Sequence, residues 1–141
     1  MSSSAVPLKP YILHAGESLN EHDSGVKASI SSTGGNLTLI ESHTRGGAPL
    51  HLHTKEDEYF YVVDGKIIVK CDGNIFHAEK GSFIFLPRNT AHEWDVESKE
   101  GATVLMITVP AMLEDFLHKF HAASSKEERT ATADAFGIKF L

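Results

Sequence analysis

Two short stretches of this 141-residue chain carry side chains suited to holding a metal ion. The first is Gly46-Gly-Ala-Pro-Leu-His51-Leu-His53-Thr-Lys-Glu-Asp-Glu58-Tyr-Phe-Tyr-Val-Val-Asp-Gly65. Side chains alternate faces along a strand, so His51 and His53 project to one side, about 7 Å apart along the chain, and both imidazoles can reach one ion. Leu50 and Leu52 take the other face. Polar Thr54-Lys-Glu-Asp57 breaks the alternation, so a strand starting at Glu58 sets its own register, with Glu58, Phe60 and Val62 on a common face. That face has the composition of a barrel interior with one ionised group at its rim. A carboxylate buried without a partner is strongly unfavourable, so an inward Glu58 requires a cation or good donors. In the alternative, Glu56, Asp57 and Glu58 form a solvated acidic turn and the histidine pair is incidental. The second stretch is Gly81-Ser-Phe-Ile-Phe-Leu-Pro87-Arg-Asn-Thr-Ala-His92-Glu-Trp94. An apolar strand ends at Pro87, Asn89 stands where the turn calls for a positive φ, and His92 opens the next strand with Trp94 and Val96 on its face.

The surrounding pattern must place these residues. From Lys27 to Val109 short apolar or alternating runs, at 28–32, 37–44, 58–63, 66–71, 75–78, 82–86, 93–96 and 103–109, are separated by turn signals. Many short strands rich in Val, Ile, Phe and Tyr predict an all-β barrel or sandwich. Asp64-Gly65 between two strong runs is a hairpin signal. After Pro110, which fits a first helical turn, Met112, Leu113, Phe116, Leu117 and Phe120 recur at helical spacing, an apolar stripe to pack on the barrel's outside or cover its mouth. A shorter helix is expected from Ser124 or Ser125, capped with Glu127 or Glu128, and ending before Gly137. The expected organisation is an N-terminal tail and loop over 1–26, a β-barrel over 27–110 and a C-terminal helical segment over 111–141.

Composition limits the chemistry. Nine histidines stand against one cysteine, Cys71, so no disulfide framework forms within the chain and a metal site must use His and carboxylate. Nineteen acidic and thirteen basic residues give a formal charge of −6, which opposes binding to nucleic acid. No apolar run has membrane-spanning length and the N-terminal residues lack the pattern of an export signal, so no membrane partner and a cytoplasmic location are expected. Asn36-Leu-Thr38 matches a glycosylation sequon but reads as a turn-to-strand junction. His14, His22, His77, His118 and His121 have ordinary surface readings, His43 stands near the first motif, and Arg45 and Arg88 flank the motif turns, where they either meet an anionic substrate or are solvated.

The combined spacing resembles the cupin superfamily. His51-x-His53, four residues, Glu58, six residues and Gly65 fit its first motif, and Gly81, five residues, Pro87 and then His92 fit its second. The sequence departs from the family pattern where four rather than five residues separate Gly46 from His51, where Asn89 replaces a glycine and where Val96 replaces an asparagine. The resemblance implies a double-stranded β-helix, that is a jelly-roll barrel, with C-terminal helices added here. It implies His51, His53, Glu58 and His92 as ligands to one divalent transition metal ion, drawn from Fe, Mn, Ni, Co, Cu and Zn.

Small single-domain members with this ligand set and a helical tail resemble quercetinase-type dioxygenases. The implied reaction has an enol or phenol bind the metal, Glu58 take its proton as general base, and dioxygen attack the electron-rich substrate. Phe60, Phe83, Phe85, Trp94 and Val96 are the expected substrate pocket for a small aromatic or enolisable molecule. The alternatives are a non-oxidative isomerase, cyclase, lyase or decarboxylase, and a small-molecule-binding cupin without turnover. A homodimer is expected by the same resemblance.

Overall fold

The computed structural model describes residues 7–141, and the tail residues 1–6 lie outside the described residues. The alternating runs become β1 (Val26–Ala28), β2 (Thr38–Thr44), β3 (Ala48–His53), β4 (Asp57–Asp64), β5 (Lys66–Cys71), β6 (Asn74–Glu79), β7 (Phe83–Leu86), β8 (His92–Val96) and β9 (Ala102–Val109). Helices α1 (Leu113–Ala122) and α2 (Lys126–Ala135) and a last strand, β10 (Ile138–Phe140), follow. The strands form two five-stranded antiparallel sheets ordered β1-β2-β9-β4-β7 and β10-β3-β8-β5-β6. From β2 onward the chain crosses repeatedly from one sheet to the other, which makes the two layers a jelly-roll barrel.

Period-two alternation decides what lies between the layers. Phe60 and Val62 of β4, Ile67 and Val69 of β5, Ile84 and Leu86 of β7 and Val104 of β9 form one buried cluster. Phe83 and Phe85 take the opposite face of β7, where they stand 62% and 50% exposed. Asp64-Gly65 does not make the expected hairpin: β4 and β5 belong to different sheets, so this tight turn carries the chain across the barrel, and the hairpin forms instead between β5 and β6, around Asp72-Gly73. Gly65 has φ 83° and packs so closely on the Gly101 carbonyl that a side chain would collide.

A second cluster joins Val26 and Ile40 to Met112, Leu113, Phe116, Ala133 and Ile138, so the apolar stripe of α1 packs onto the barrel. The helix starts at Leu113, later than the sequence pattern at Pro110 predicted. No side chain caps α1; instead the Thr38 hydroxyl accepts the Met112 N–H at 3.0 Å and donates to Glu114 at 2.5 Å. Helix α2 has the expected cap, with Ser125 Oγ accepting from Glu128 N–H and Glu128 accepting from Ser124 N–H.

Two further expectations are corrected. The run at 28–32 is a strand only as far as Ala28, because the hydroxyls of Ser29, Ser32 and Thr33 bond nearby backbone and curl the segment into turns. The chain end, expected to belong to a C-terminal helical segment over 111–141, adds β10 to the edge of β3, with Ile138 opposite His53 and Phe140 opposite His51. Among the described residues no helix is long and apolar enough to cross a membrane.

Leu86 is fully buried between the sheets, and its removal would leave a cavity there. Leu86→Ala is expected to cost about 2–5 kcal/mol, read from the shift of the urea unfolding midpoint.

Candidate metal centre

The inward side chains of β3, β8 and β4 meet at the end of the barrel that α1 covers. His51 and His53 occupy alternate buried positions of β3, with Leu52 between them on the other face. His92 opens β8 directly opposite His51, so cross-strand pairing brings their rings to 4.4 Å between centroids. Glu58 comes from the other sheet, on the inward face of β4 next to Phe60. All four side chains are buried, and one donor atom from each lies within 4.8 Å of the others. The solvated acidic turn is therefore not what forms, since Glu56 and Glu58 both point inward.

Hydrogen bonds set the direction of each imidazole. His51 Nδ1–H donates to the Pro49 carbonyl at 2.6 Å and His92 Nδ1–H to the Thr90 carbonyl at 3.2 Å. His53 Nδ1–H donates to the Glu56 carboxylate. Every Nε2 is left facing the centre, with His51 Nε2 3.2 Å from His53 Nε2 and Glu58 Oε1 3.1 Å from His92 Nε2 and 3.6 Å from His53 Nε2. Donors each about 2.1 Å from one ion stand about 3–4 Å apart, so these gaps fit a single transition metal ion held by nitrogen and oxygen.

The electrostatics match that purpose. Burial pushes His51 down from 6.5 to about 4, so it is neutral and ready to coordinate at neutral pH. Burial also works against a charge on His53, but the Glu56 hydrogen bond and the charges of Glu58 and Glu56 outweigh it and raise His53. For Glu58, burial favours the neutral acid, yet the His92 hydrogen bond and the charges of His53, His92 and His51 overcome it and keep the carboxyl below its usual value.

Loops on either side of the ligands are tied together. Arg88 donates to Asp57 through its backbone N–H at 2.9 Å and through Nε at 3.1 Å, and Asn89 N–H reaches the His53 carbonyl at 2.7 Å. Asn89 adopts the expected positive φ of 66°. Arg88 is thus engaged with Asp57 and away from the ligands. The glycine that packing demands before the first motif is Gly47, not Gly46: a Cβ on Gly47 would lie 1.9 Å from the Trp94 carbonyl oxygen, whereas one on Gly46 meets nothing.

A cavity of about 350 Å³ opens onto His51, His53 and Glu58. Of the expected pocket residues, Trp94 lines it. Phe60 lies behind Trp94 in the core, with ring centroids 5.2 Å apart, and Val96 packs against the same core. Phe83 and Phe85 do not face the cavity, because Ile84 and Leu86 take the inward positions of β7. The wall that sequence reasoning did not assign comes from Leu113, Phe116, Leu117 and Phe120 of α1, with Phe140 of β10 and Met106 of β9. Its signal was the helical stripe, which covers the mouth. His121 also lines the cavity, while His43 is exposed and bonded to Thr103 and the Glu100 carbonyl, and His77 pairs with Glu97 at the surface.

A family model described as a cupin domain matches residues 38–108. The chain belongs to the cupin family. This cupin is 26% identical over 113 residues to quercetin 2,3-dioxygenase of Bacillus subtilis (strain 168), a match covering 76% of this chain and 33% of that protein. It spans about a third of the dioxygenase's length. It is 30% identical over 91 residues to the uncharacterised protein MJ1618 of Methanocaldococcus jannaschii, covering 61% of this chain and 67% of that one. Among solved structures, an RmlC-like cupin from Shewanella frigidimarina aligns with a TM-score of 0.51 at 26% identity, covering 58% of this cupin and 72% of that chain. KdgF from Halomonas sp. aligns at 0.54 with 19% identity, covering 70% and 96% respectively. Streptomyces PAC13 with uridine aligns at 0.55 with 17% identity, covering 78% and 88%. The last two likenesses concern the fold alone.

Coordination needs unprotonated imidazoles, so protons compete with the ion at His53, whose value is raised, long before they compete at His51 near 4. Cobalt(II) affinity is expected to fall about tenfold per pH unit once pH drops below the His53 value, by competition titration with a chromophoric chelator. A flat profile from about pH 8 to 5.5 would contradict the assignment of His53 as a ligand.

Proposed function

We propose that this cupin is a metal-dependent dioxygenase acting on a small aromatic or enolisable molecule, with Glu58 as both ligand and general base. The observation that carries the reading is the cavity. A wall of Phe116, Phe120, Leu117, Phe140 and Trp94 stands over three imidazoles and one carboxylate, and no lysine or arginine lines it among the described residues. Such a lining favours a flat, largely apolar substrate with one polar edge for the ion. The similarity to quercetin 2,3-dioxygenase over 76% of the chain supports the same reading.

His51, His53, Glu58 and His92 would hold the ion. A divalent transition metal there would supply Lewis-acid polarisation of a substrate oxygen and a meeting point for substrate and dioxygen. The chain's own residues do the rest. Glu58 is the one carboxylate of the ligand set and is held as the anion, below its usual value, by the His92 hydrogen bond and the surrounding imidazoles. Glu58 is then able to take the hydroxyl proton of an enol or phenol. The apolar wall of α1 and β10 would pack against the ring and exclude water from the resulting anion.

The expected homodimer belongs to this proposal. Tyr61, Phe83 and Phe85 make an exposed, uncharged aromatic face around β7, whose outer edge is unpaired in its sheet. Two copies related by a two-fold axis would cover that face without bringing like charges together, in a chain of formal charge −6. Sedimentation is expected to give a dimer, and Phe83→Lys a monomer that keeps the fold by circular dichroism. A cytoplasmic location is proposed too, in keeping with Cys71 buried as a free thiol.

With a flavonol or a related enol, oxygen consumption is expected to match substrate loss, and Glu58→Gln to lower turnover at least about a hundredfold, as loss of a general base does. Substrate loss without oxygen uptake would turn the reading to a non-oxidative cupin enzyme. Saturable binding with no chemical change would turn it to a binding module. Turnover unaffected in Glu58→Gln would end the general-base role.

A further inference from the structure

Glu56 is wholly buried, at 0% exposure, and its one ion pair among the described residues is with His53. Its Oε1 accepts the His53 Nδ1–H, while its Oε2 finds no donor. A carboxylate placed in the interior with half of its acceptors unused lowers the stability of the fold, and an apolar side chain of similar size would serve packing better. Its position therefore calls for an explanation other than folding. The other two imidazoles have neutral backbone carbonyls in the equivalent place, Pro49 for His51 and Thr90 for His92.

We infer that Glu56 is a positioning residue for the metal centre, holding His53 with Nε2 toward the ion and supplying the second negative charge that a divalent cation needs in a buried site. The inference rests on the metal reading of the four-residue cluster and adds a fifth residue to it. The geometry carries both halves. By accepting at Nδ1, Glu56 leaves the lone pair of His53 on the nitrogen that lies 3.2 Å from His51 Nε2 and 3.6 Å from Glu58 Oε1. A carboxylate behind an imidazole also makes it a stronger donor than a carbonyl does. In charge, Glu58 and Glu56 together offset a doubly charged ion, so the loaded site carries no net charge into the barrel interior.

Glu56 is held ready for this by the chain end. Thr54 donates its N–H and its hydroxyl to the Gly137 carbonyl at 2.8 and 2.6 Å, and Lys55 Nζ reaches the Ala135 carbonyl at 3.3 Å. The loop 54–56 is thereby clamped between the end of α2 and the start of β4, with Glu56 turned inward and Asp57 turned to Arg88.

The test compares cobalt(II) affinity with the melting temperature of the metal-free protein in Glu56→Leu and Glu56→Gln. Leu removes the acceptor and the charge; Gln keeps an acceptor oxygen for His53 Nδ1–H and removes only the charge. Expected for Glu56→Leu is an affinity about 10–100-fold weaker than wild type, with an unchanged or raised melting temperature when metal-free. Glu56→Gln is expected to recover part of that affinity. The visible absorption of the cobalt-loaded Leu variant should also shift, since His53 is no longer held. Leu affinity within about threefold of wild type would overturn the proposal. So would a lower metal-free melting temperature in both variants with no recovery by Gln, which marks a structural role. Wild-type protein that binds no cobalt(II) would instead overturn the metal reading itself, so the two failures are told apart.

Discussion

Two carboxylates, Glu56 and Glu58, sit in the interior of a barrel otherwise filled by Phe, Val, Ile and Leu, and the architecture depends on how their charge is answered. An unanswered carboxylate in such surroundings costs more than the packing around it returns. His53 and His92 answer Glu58 from the opposite sheet, and His53 alone answers Glu56. Glu58 is carried by β4, whereas His51, His53 and His92 are carried by β3 and β8. The site therefore acts as a polar contact between two layers whose remaining contacts are apolar. It also explains why the ligand pairs are so close, with Glu58 shared between His53 and His92.

Precision at such a site comes from what surrounds the ligands. The sheet ladders fix His51 opposite His92, but His53 and Glu58 flank a polar loop that the sheets alone would leave free. The Asp57 to Arg88 contact joins that loop to the turn before β8, and the Asn89 N–H to His53 carbonyl bond adds a second tie. A surface ion pair alone contributes little to stability. Here the same carboxylate also receives the Arg88 backbone N–H, so the contact places two segments of chain rather than two side-chain tips. The C-terminal strand closes the arrangement by pairing with β3 along the residues that carry the imidazoles.

The ligand set and the cavity wall have separate origins in the chain. The ligands lie within residues 38–108, the span matched as a cupin domain, while most of the apolar wall comes from α1 and β10 beyond it. The tail thus gives a shared barrel a pocket of its own chemistry. The stripe of α1 does two jobs at once, since Leu113 and Phe116 are buried in the second core cluster, Leu117 and Phe120 pack against it, and all four line the cavity. A change on that helix acts on packing and on the pocket together.

Local rules made part of this readable from the residues alone. The His51-x-His53 alternation, the positive φ at Asn89 and the Ser125 cap each depend on neighbours in the chain, and each takes the conformation its residues demand. The spacing of His51, His53, Glu58 and His92 likewise marked the donors that come together. What sequence could not decide were choices between two locally equal options. Both faces of β7 are apolar, so only packing against β4 and the opposite sheet put Ile84 and Leu86 inside and left Phe83 and Phe85 outside. Glu56 reads as one more acid in a polar loop until the clamp at Gly137, some eighty residues away in the chain, turns it toward His53. The same holds for β10, too short to declare itself, which exists as a strand because β3 offers it an edge. Sequence determined the chemistry available and its local geometry; tertiary structure decided which side chains were buried together, because burial depends on partners distant in the chain.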